Sequence, residues 1–172
     1  MQNAEGVLMT FHLERTDATM VKLVSLAAVE ALQTTTGVEG KLHALNESPA
    51  LVSTGHISAV LCITGEAGQS NMILSFPRPL ATLLVSRFMN ISQTQITSDE
   101  CSDGICELAN MIAGRLKTTL SEASGSLYRL SVPTMLSDAE PGLPKQQEPC
   151  LTLVFEAEGQ QFQITLSLKS VK

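Results

Sequence analysis

The 172-residue chain has no tryptophan, one tyrosine and five phenylalanines, so aromatics make up only 3% of it. Its core must be aliphatic. Charged residues are also few, 16% of the chain, with a net charge of −6 and no run of Lys and Arg. Nucleic-acid binding needs clustered cations, and so does an anionic membrane surface, so both readings are disfavoured. No apolar stretch approaches the roughly 20 residues of a membrane span. The opening MQNAEGVLMTFHLERTDATM has no basic n-region and no continuous h-region, so no signal peptide is expected and the expected location is cytoplasmic. Cys62, Cys101, Cys106 and Cys150 form no CxxC, and His12, His43 and His56 have no metal-ligand spacing to one another or to a cysteine. Buried or incidental reduced thiols are therefore expected, with no disulfide, metal site or cofactor of the protein's own. A Gly-rich phosphate loop and a nucleophile elbow are missing too, which weighs against a small-molecule enzyme or sensor.

What is present is 44% apolar residues, enough for one domain spanning 1–172. Residues 1–16 read as an arm, with a short strand at 7–13. A helix over about 18–35 turns Val21, Val24, Ala28 and Ala31 inward. Residues 38–45 read as a strand and 46–49 as a turn. Alternation over 56–64 and 69–76 predicts a hairpin around Gly65-Glu66-Ala67-Gly68. Pro79 suits the first turn of a helix reaching about Asn90, with Leu80, Leu83, Leu84 and Phe88 inward. Residues 127–133 read as a strand and 137–149 as a polar loop. A second hairpin occupies 151–156 and 161–169.

Between these halves lies the longest periodic stretch, residues 98–123. Thr97 and Glu100 have capping-box spacing, and Gly125 stands just past the end. Ile105, Leu108, Ile112, Leu116 and Ala123 gather on one side. With Asp103 at zero, Glu107 falls at about +40°, Asn110 at about −20° and Gly114 at about +20°. These four make a narrow stripe opposite the apolar face. Gly114 costs a helix roughly 1 kcal/mol relative to Ala. It serves either the close approach of another protein or packing inside the chain. Asp103 can also aid the helix dipole. Arg115 and Lys117 flank the stripe as partner contacts or as a solvated edge.

The halves repeat the order helix, strand, hairpin. SNMILSF at 70–76 lies over FQITLSL at 162–168, and LQTT at 32–35 over LKTT at 116–119. Two such units predict an α+β domain: two pseudo-repeated helix–strand–hairpin units forming a mainly antiparallel sheet of about six strands, with helices packed on one face. In this alignment Glu107 falls on Leu23, Asn110 on Leu26 and Gly114 on Glu30, so the acid–amide pair occurs on one helix only. Glu30 and Gln33 repeat its spacing seven residues further on and read as surface residues.

Asp103, Glu107 and Asn110, then Pro133 within SVPT, match the motif of the CheC, CheX and FliY chemotaxis phosphatases. ELANMIAG, AAVEALQTTTGVE and NMILSFP resemble the CheX version, and the resemblance runs from about Asp17 to Lys169. It implies a CheC-like fold and hydrolysis of the aspartyl phosphate of a CheY-like response regulator. Asn110 would orient the attacking water, because an amide can accept a hydrogen bond from water and hold it. Glu107 would pair with the regulator's active-site lysine, while Asp103 and Gly114 would lie against the partner. The regulator would bring its own Mg²⁺, and the protein would form a homodimer. The alternative is a non-catalytic binding or docking module of a chemotaxis or two-component pathway.

Overall fold

Two hairpins supply the centre of the sheet, and their turns follow from local sequence. In the second, Ala157 pairs with Gln160 around Glu158 and Gly159. Both turn residues have positive φ, 51° and 71°. That is the two-residue turn whose twist matches antiparallel strands, and glycine adopts its second position without strain. The computed structural model describes residues 18–46, 56–66, 68–136 and 150–170, with side chains described up to Leu166. The readings for 1–16, 47–49 and 137–149 lie outside the described residues.

The order is α1 (Ala18–Thr36), β1 (Gly40–Asn46), β2 (His56–Gly65), β3 (Gly68–Pro77), α2 (Arg78–Met89), a short 3₁₀ turn (Gln93–Gln95) and α3 (Ser98–Ser124). Then come β4 (Arg129–Leu130), β5 (Thr134–Leu136), β6 (Cys150–Ala157) and β7 (Gln160–Ser170). The fold is α+β, with three α-helices and an open antiparallel sheet of seven strands in the order β1-β6-β7-β3-β2-β4, β5 also pairing with β2. The seventh strand arises where one expected strand is split into β4 and β5, both paired with β2. Pairing along 127–133 covers only Arg129 and Leu130, breaks at Ser131–Pro133 because Pro133 has no N–H to give, and resumes at Thr134.

The sheet interleaves the two repeats. β1 of the first half pairs with β6 of the second, and β4 and β5 of the second pair with β2 of the first. At the centre, β3 pairs with β7 so that Met72 faces Leu166, Ile73 faces Thr165 and Leu74 faces Ile164. The repeat alignment makes Ile73 and Thr165 equivalent. The pair therefore marks the pseudo-two-fold axis.

One face of the sheet meets the helices. Ile57, Ala59, Leu61 and Ile63 of β2, Met72, Leu74 and Phe76 of β3, and Leu153, Phe155, Phe162 and Ile164 of β6 and β7 join α1 and α3 in one core. Phe162 stacks between Phe76 and Phe155, with ring centroids 4.9 and 5.0 Å apart. Three of the five phenylalanines thus fill the centre of an otherwise aliphatic core. Two expected inward residues are not inward. Phe88, in the last turn of α2, is 41% exposed, and Ala123 near the end of α3 is exposed, Leu120 making the last buried contact instead. All four cysteines are free: Cys101 and Cys150 are buried, and Cys62 and Cys106 partly so.

The opposite face carries hydroxyls. Ser58 donates to Ser75 at 2.9 Å, the His56 ring contacts Ser75 at 3.1 Å, and Thr152 meets Thr165 at 3.0 Å. Ser58, Ser75, Thr152 and Thr165 are buried, so these cross-strand pairs satisfy groups that would otherwise be costly. Burial holds the pKa of His56 below its ordinary 6.5. The unfolded chain therefore takes up the proton first on acidification. His56 contributes stability that is complete above about pH 6.5 and is lost as pH falls through the folded-state pKa. Urea unfolding between pH 7.5 and 5 should show stability declining with pH, with a shallower decline in His56→Gln.

Helices α2 and α3 touch at Gly104. A Cβ there would sit 2.6 and 2.8 Å from the two methyls of Val85. Gly104→Ala should force the helices apart and cost about 1–3 kcal/mol, measurable by denaturant unfolding.

Candidate functional site

Helix α3 begins where the sequence predicts. The Thr97 hydroxyl accepts from the Glu100 N–H at 3.2 Å, and the Glu100 carboxylate accepts from the Thr97 N–H at 2.8 Å. This closes a capping box, and the hydrogen bonds from Thr97 lower the Glu100 pKa. Gly125 ends the helix with φ 70°, its N–H donating to Ser121 O. Ile105, Leu108, Ile112, Leu116 and Leu120 are buried, so the helix cannot roll without losing core. Asp103, Glu107 and Asn110 are consequently held outward and exposed. Among the described residues, no side-chain hydrogen bond or ion pair engages any of the three. Asp103 lies beyond the first turn, whose acids are Asp99 and Glu100, so helix-dipole support falls to those two.

The structure gathers Asp103, Glu107, Asn110 and Pro133 around one open cleft of about 350 Å³. Cys106 and the segment Leu130, Ser131, Val132 complete its walls. One wall is thus α3, bearing two acids and an amide, and the other is the broken sheet edge, bearing apolar side chains. Cys106 is not a nucleophile in waiting: burial, then the nearby Asp103 charge, pushes its thiol pKa up. Pro133 does more than shape a strand end, because it forms part of the wall facing Asn110. Sequence reasoning did not single out Cys106, Leu130, Ser131 or Val132. A proline inside a strand pattern is the signal for a bulge that would have pointed to the last three.

Gly114 does not line this cleft. It borders a neighbouring groove of about 540 Å³ with Glu30, Met111, Arg115, Thr118 and Thr119. A Cβ on Gly114 would meet nothing within 4 Å, so packing inside the described chain does not require glycine there. Arg115 is occupied, donating to Glu30 at 3.2 Å and to the Thr34 hydroxyl at 3.2 Å across the α1–α3 contact. Glu30 therefore belongs to a surface brace, and Gln33 is exposed. No group of three or more His, Cys, Asp or Glu that could hold a metal occurs among the described residues. Among the described residues, no helix is long and apolar enough to cross a membrane.

The site and the interleaved two-repeat sheet define a class: a CheC-like α+β domain with one acid–amide helix. The family model for the chemotaxis phosphatase CheX matches residues 57–156, more than half of the chain. The chain belongs to the CheX family. Solved structures agree on the fold. A chemotaxis protein CheX from Desulfovibrio desulfuricans is 21% identical and superposes with a TM-score of 0.74 over 88% of this chain and 99% of that one. A CheC-like superfamily protein from Shewanella sp. PV-4 is 17% identical, with a TM-score of 0.76 over 90% and 100%. CheX in a CheX–CheY–BeF₃–Mg²⁺ complex from Borrelia burgdorferi is 17% identical, with a TM-score of 0.67 over 88% and 98%. No curated protein matches the chain.

The open space at Gly114 has a measurable consequence. Gly114→Ala should gain up to about 1 kcal/mol from helix propensity, raising Tm by about 2–4 °C in a chain of this size. Thermal unfolding followed by circular dichroism checks this.

Proposed function

We propose that this protein hydrolyses the aspartyl phosphate of a CheY-like response regulator. The observation that carries the reading is the pairing of Glu107 and Asn110, exposed and unengaged on adjacent turns of a fixed helix beside one cleft. An acyl phosphate is already activated, so positioning is most of the catalytic task. Asn110 accepts a hydrogen bond from water and holds it in line with the phosphorus. Water oxygen bonds to phosphorus as the bond to the aspartyl oxygen breaks. The aspartate leaves as carboxylate, and inorganic phosphate is released. Glu107 pairs with the regulator's active-site lysine, which orients the two proteins and loosens that lysine's hold on the phosphate. Mg²⁺ carried by the regulator would neutralise the phosphoryl oxygens; the Borrelia CheX–CheY complex contains BeF₃ and Mg²⁺.

Asp103 and Gly114 flank this pair as partner contacts. The missing Cβ at Gly114 lets the regulator approach the helix backbone closely. The reading implies a cytoplasmic protein. A homodimer is part of the same proposal, and among the described residues β1 is the sheet edge away from the cleft. The other sheet edge borders the cleft, whereas β1 offers Leu42 and Leu45, 40% and 41% exposed, and leaves the cleft open.

The test is phosphate release from a panel of phosphorylated CheY-like regulators. Wild type should accelerate release from at least one. Asn110→Ala should lower that rate by at least about 100-fold without loss of fold or binding, and Glu107→Ala should act mainly through KM. Full activity in Asn110→Ala would remove the proposed mechanism. Binding without acceleration by wild type would favour a docking module.

A further inference from the structure

The wall opposite Asn110 is a β-bulge. Ile63 pairs with Leu130 and Val60 with Thr134. Between these pairs β2 contributes Leu61 and Cys62, while the edge contributes Ser131, Val132 and Pro133. Two residues thus oppose three. Ser131 fastens the break. Its N–H donates to Cys62 O at 2.9 Å, and its Oγ accepts from the Cys62 N–H at 2.8 Å. A side-chain oxygen therefore stands where a strand carbonyl would normally accept. The Ser131 hydroxyl in turn faces the Val132 carbonyl at 3.3 Å.

The bulge turns Val132 outward. It is 82% exposed although it lines the same cleft as Glu107 and Asn110. A lone exposed aliphatic residue needs no explanation in itself. This one differs because its backbone is pinned by Ser131 and followed by proline, whose φ is fixed. Its β-branched side chain also has few rotamers to lose on burial. It is a rigid apolar point beside a polar helix.

We infer that Val132 is an apolar docking residue for the phosphorylated regulator and that Ser131 is the positioning residue that aims it. The inference rests on the phosphatase reading and adds the chemistry of the partner surface. A protein that brings its phosphate to Asn110 must enter between α3 and the bulge, and so covers Val132. The α3 wall is acidic, through Asp103 and Glu107, and the bulge wall is apolar, through Leu130, Val132 and Pro133. The matching surface carries a cationic side chain on one side of its phospho-aspartate and an apolar patch on the other. Regulators lacking that apolar patch are poor substrates.

Two measurements with a phosphorylated regulator test this, using wild type, Val132→Ala, Ser131→Ala, Ser131→Thr and Asn110→Ala. In steady-state phosphate release, Val132→Ala should raise KM about 5- to 10-fold, more than it lowers kcat. Ser131→Ala should lower kcat/KM at temperatures where circular dichroism shows it folded, and Ser131→Thr, which keeps the hydroxyl, should recover most of the loss. Titration with the regulator activated by beryllofluoride and Mg²⁺ should weaken Kd about 5- to 10-fold in Val132→Ala. Unchanged KM and Kd in Val132→Ala, with Asn110→Ala inactive, would overturn the docking role and leave the phosphatase reading standing. Weakened Kd in Val132→Ala, with no hydrolysis by wild type, would overturn the phosphatase reading and uphold the docking role.

Discussion

Burial of one face of α3 is the constraint on which the rest depends. Ile105, Leu108, Ile112, Leu116 and Leu120 must enter the core, and β2 supplies its counterpart through Ile57, Ala59, Leu61 and Ile63. Each fully buried aliphatic side chain of this size is worth roughly 1.5–3 kcal/mol. Rolling the helix by one residue position would therefore be far more costly than any surface contact could offset. The rotation fixed by the apolar face decides where Asp103, Glu107 and Asn110 point. The candidate site takes its geometry from packing: a helix held along 27 residues presents polar side chains at fixed angles. Gly104 sharpens the effect, because Val85 occupies the space its Cβ would need and so locks α2 to α3.

The two-repeat architecture explains why the second wall of the cleft is equally well placed. β4 and β5 follow α3 directly in sequence, yet they pair with β2 from the other half. The wall is thus tied to α3 through the chain and to the core through the sheet. The bulge at Ser131–Pro133 then turns a sheet edge into the second wall of the cleft. An unbroken edge strand would alternate its side chains between core and solvent, and Val132 and Pro133 could not both line the cleft. Interruption of pairing also blunts an edge that would otherwise invite another strand.

Much of this was legible in the residues because the relevant signals are local. The capping box at Thr97 and Glu100, the 3.6-residue period of α3 and the Glu158-Gly159 turn each depend on side chains close in sequence. The stripe from Asp103 to Gly114 follows from the same period. The bulge was legible only in part: Pro133 in a strand pattern signals a break, but its register depends on segments about 70 residues apart, since Ser131 Oγ replaces a carbonyl only because Cys62 lies opposite. Phe88 and Ala123 fail for another reason. Periodicity sets the direction of a side chain but not whether a neighbour stands there, and both lie in the last turns of their helices. The hydroxyls of Ser58, Ser75, Thr152 and Thr165 alternate along their strands with the residues that face the helices, and alternation alone does not say whether they are buried. Pairing across strands lets the structure bury them.

The repeat also accounts for the difference between its two helices. By the alignment of the halves, Leu26 stands on α1 where Asn110 stands on α3, and Glu30 stands where Gly114 does. Leu26 is 47% exposed and cannot orient water. Glu30 fills the position that Gly114 leaves open and reaches across to Arg115, the residue next to Gly114. An exposed ion pair of this kind adds little stability. The Arg115 guanidinium is also held by Thr34, however, and its planar fork restricts how α1 and α3 can slide. The first helix carries a brace where α3 carries the acid–amide face. What it braces is the stretch of α3 around Gly114, where a Cβ would meet nothing within 4 Å.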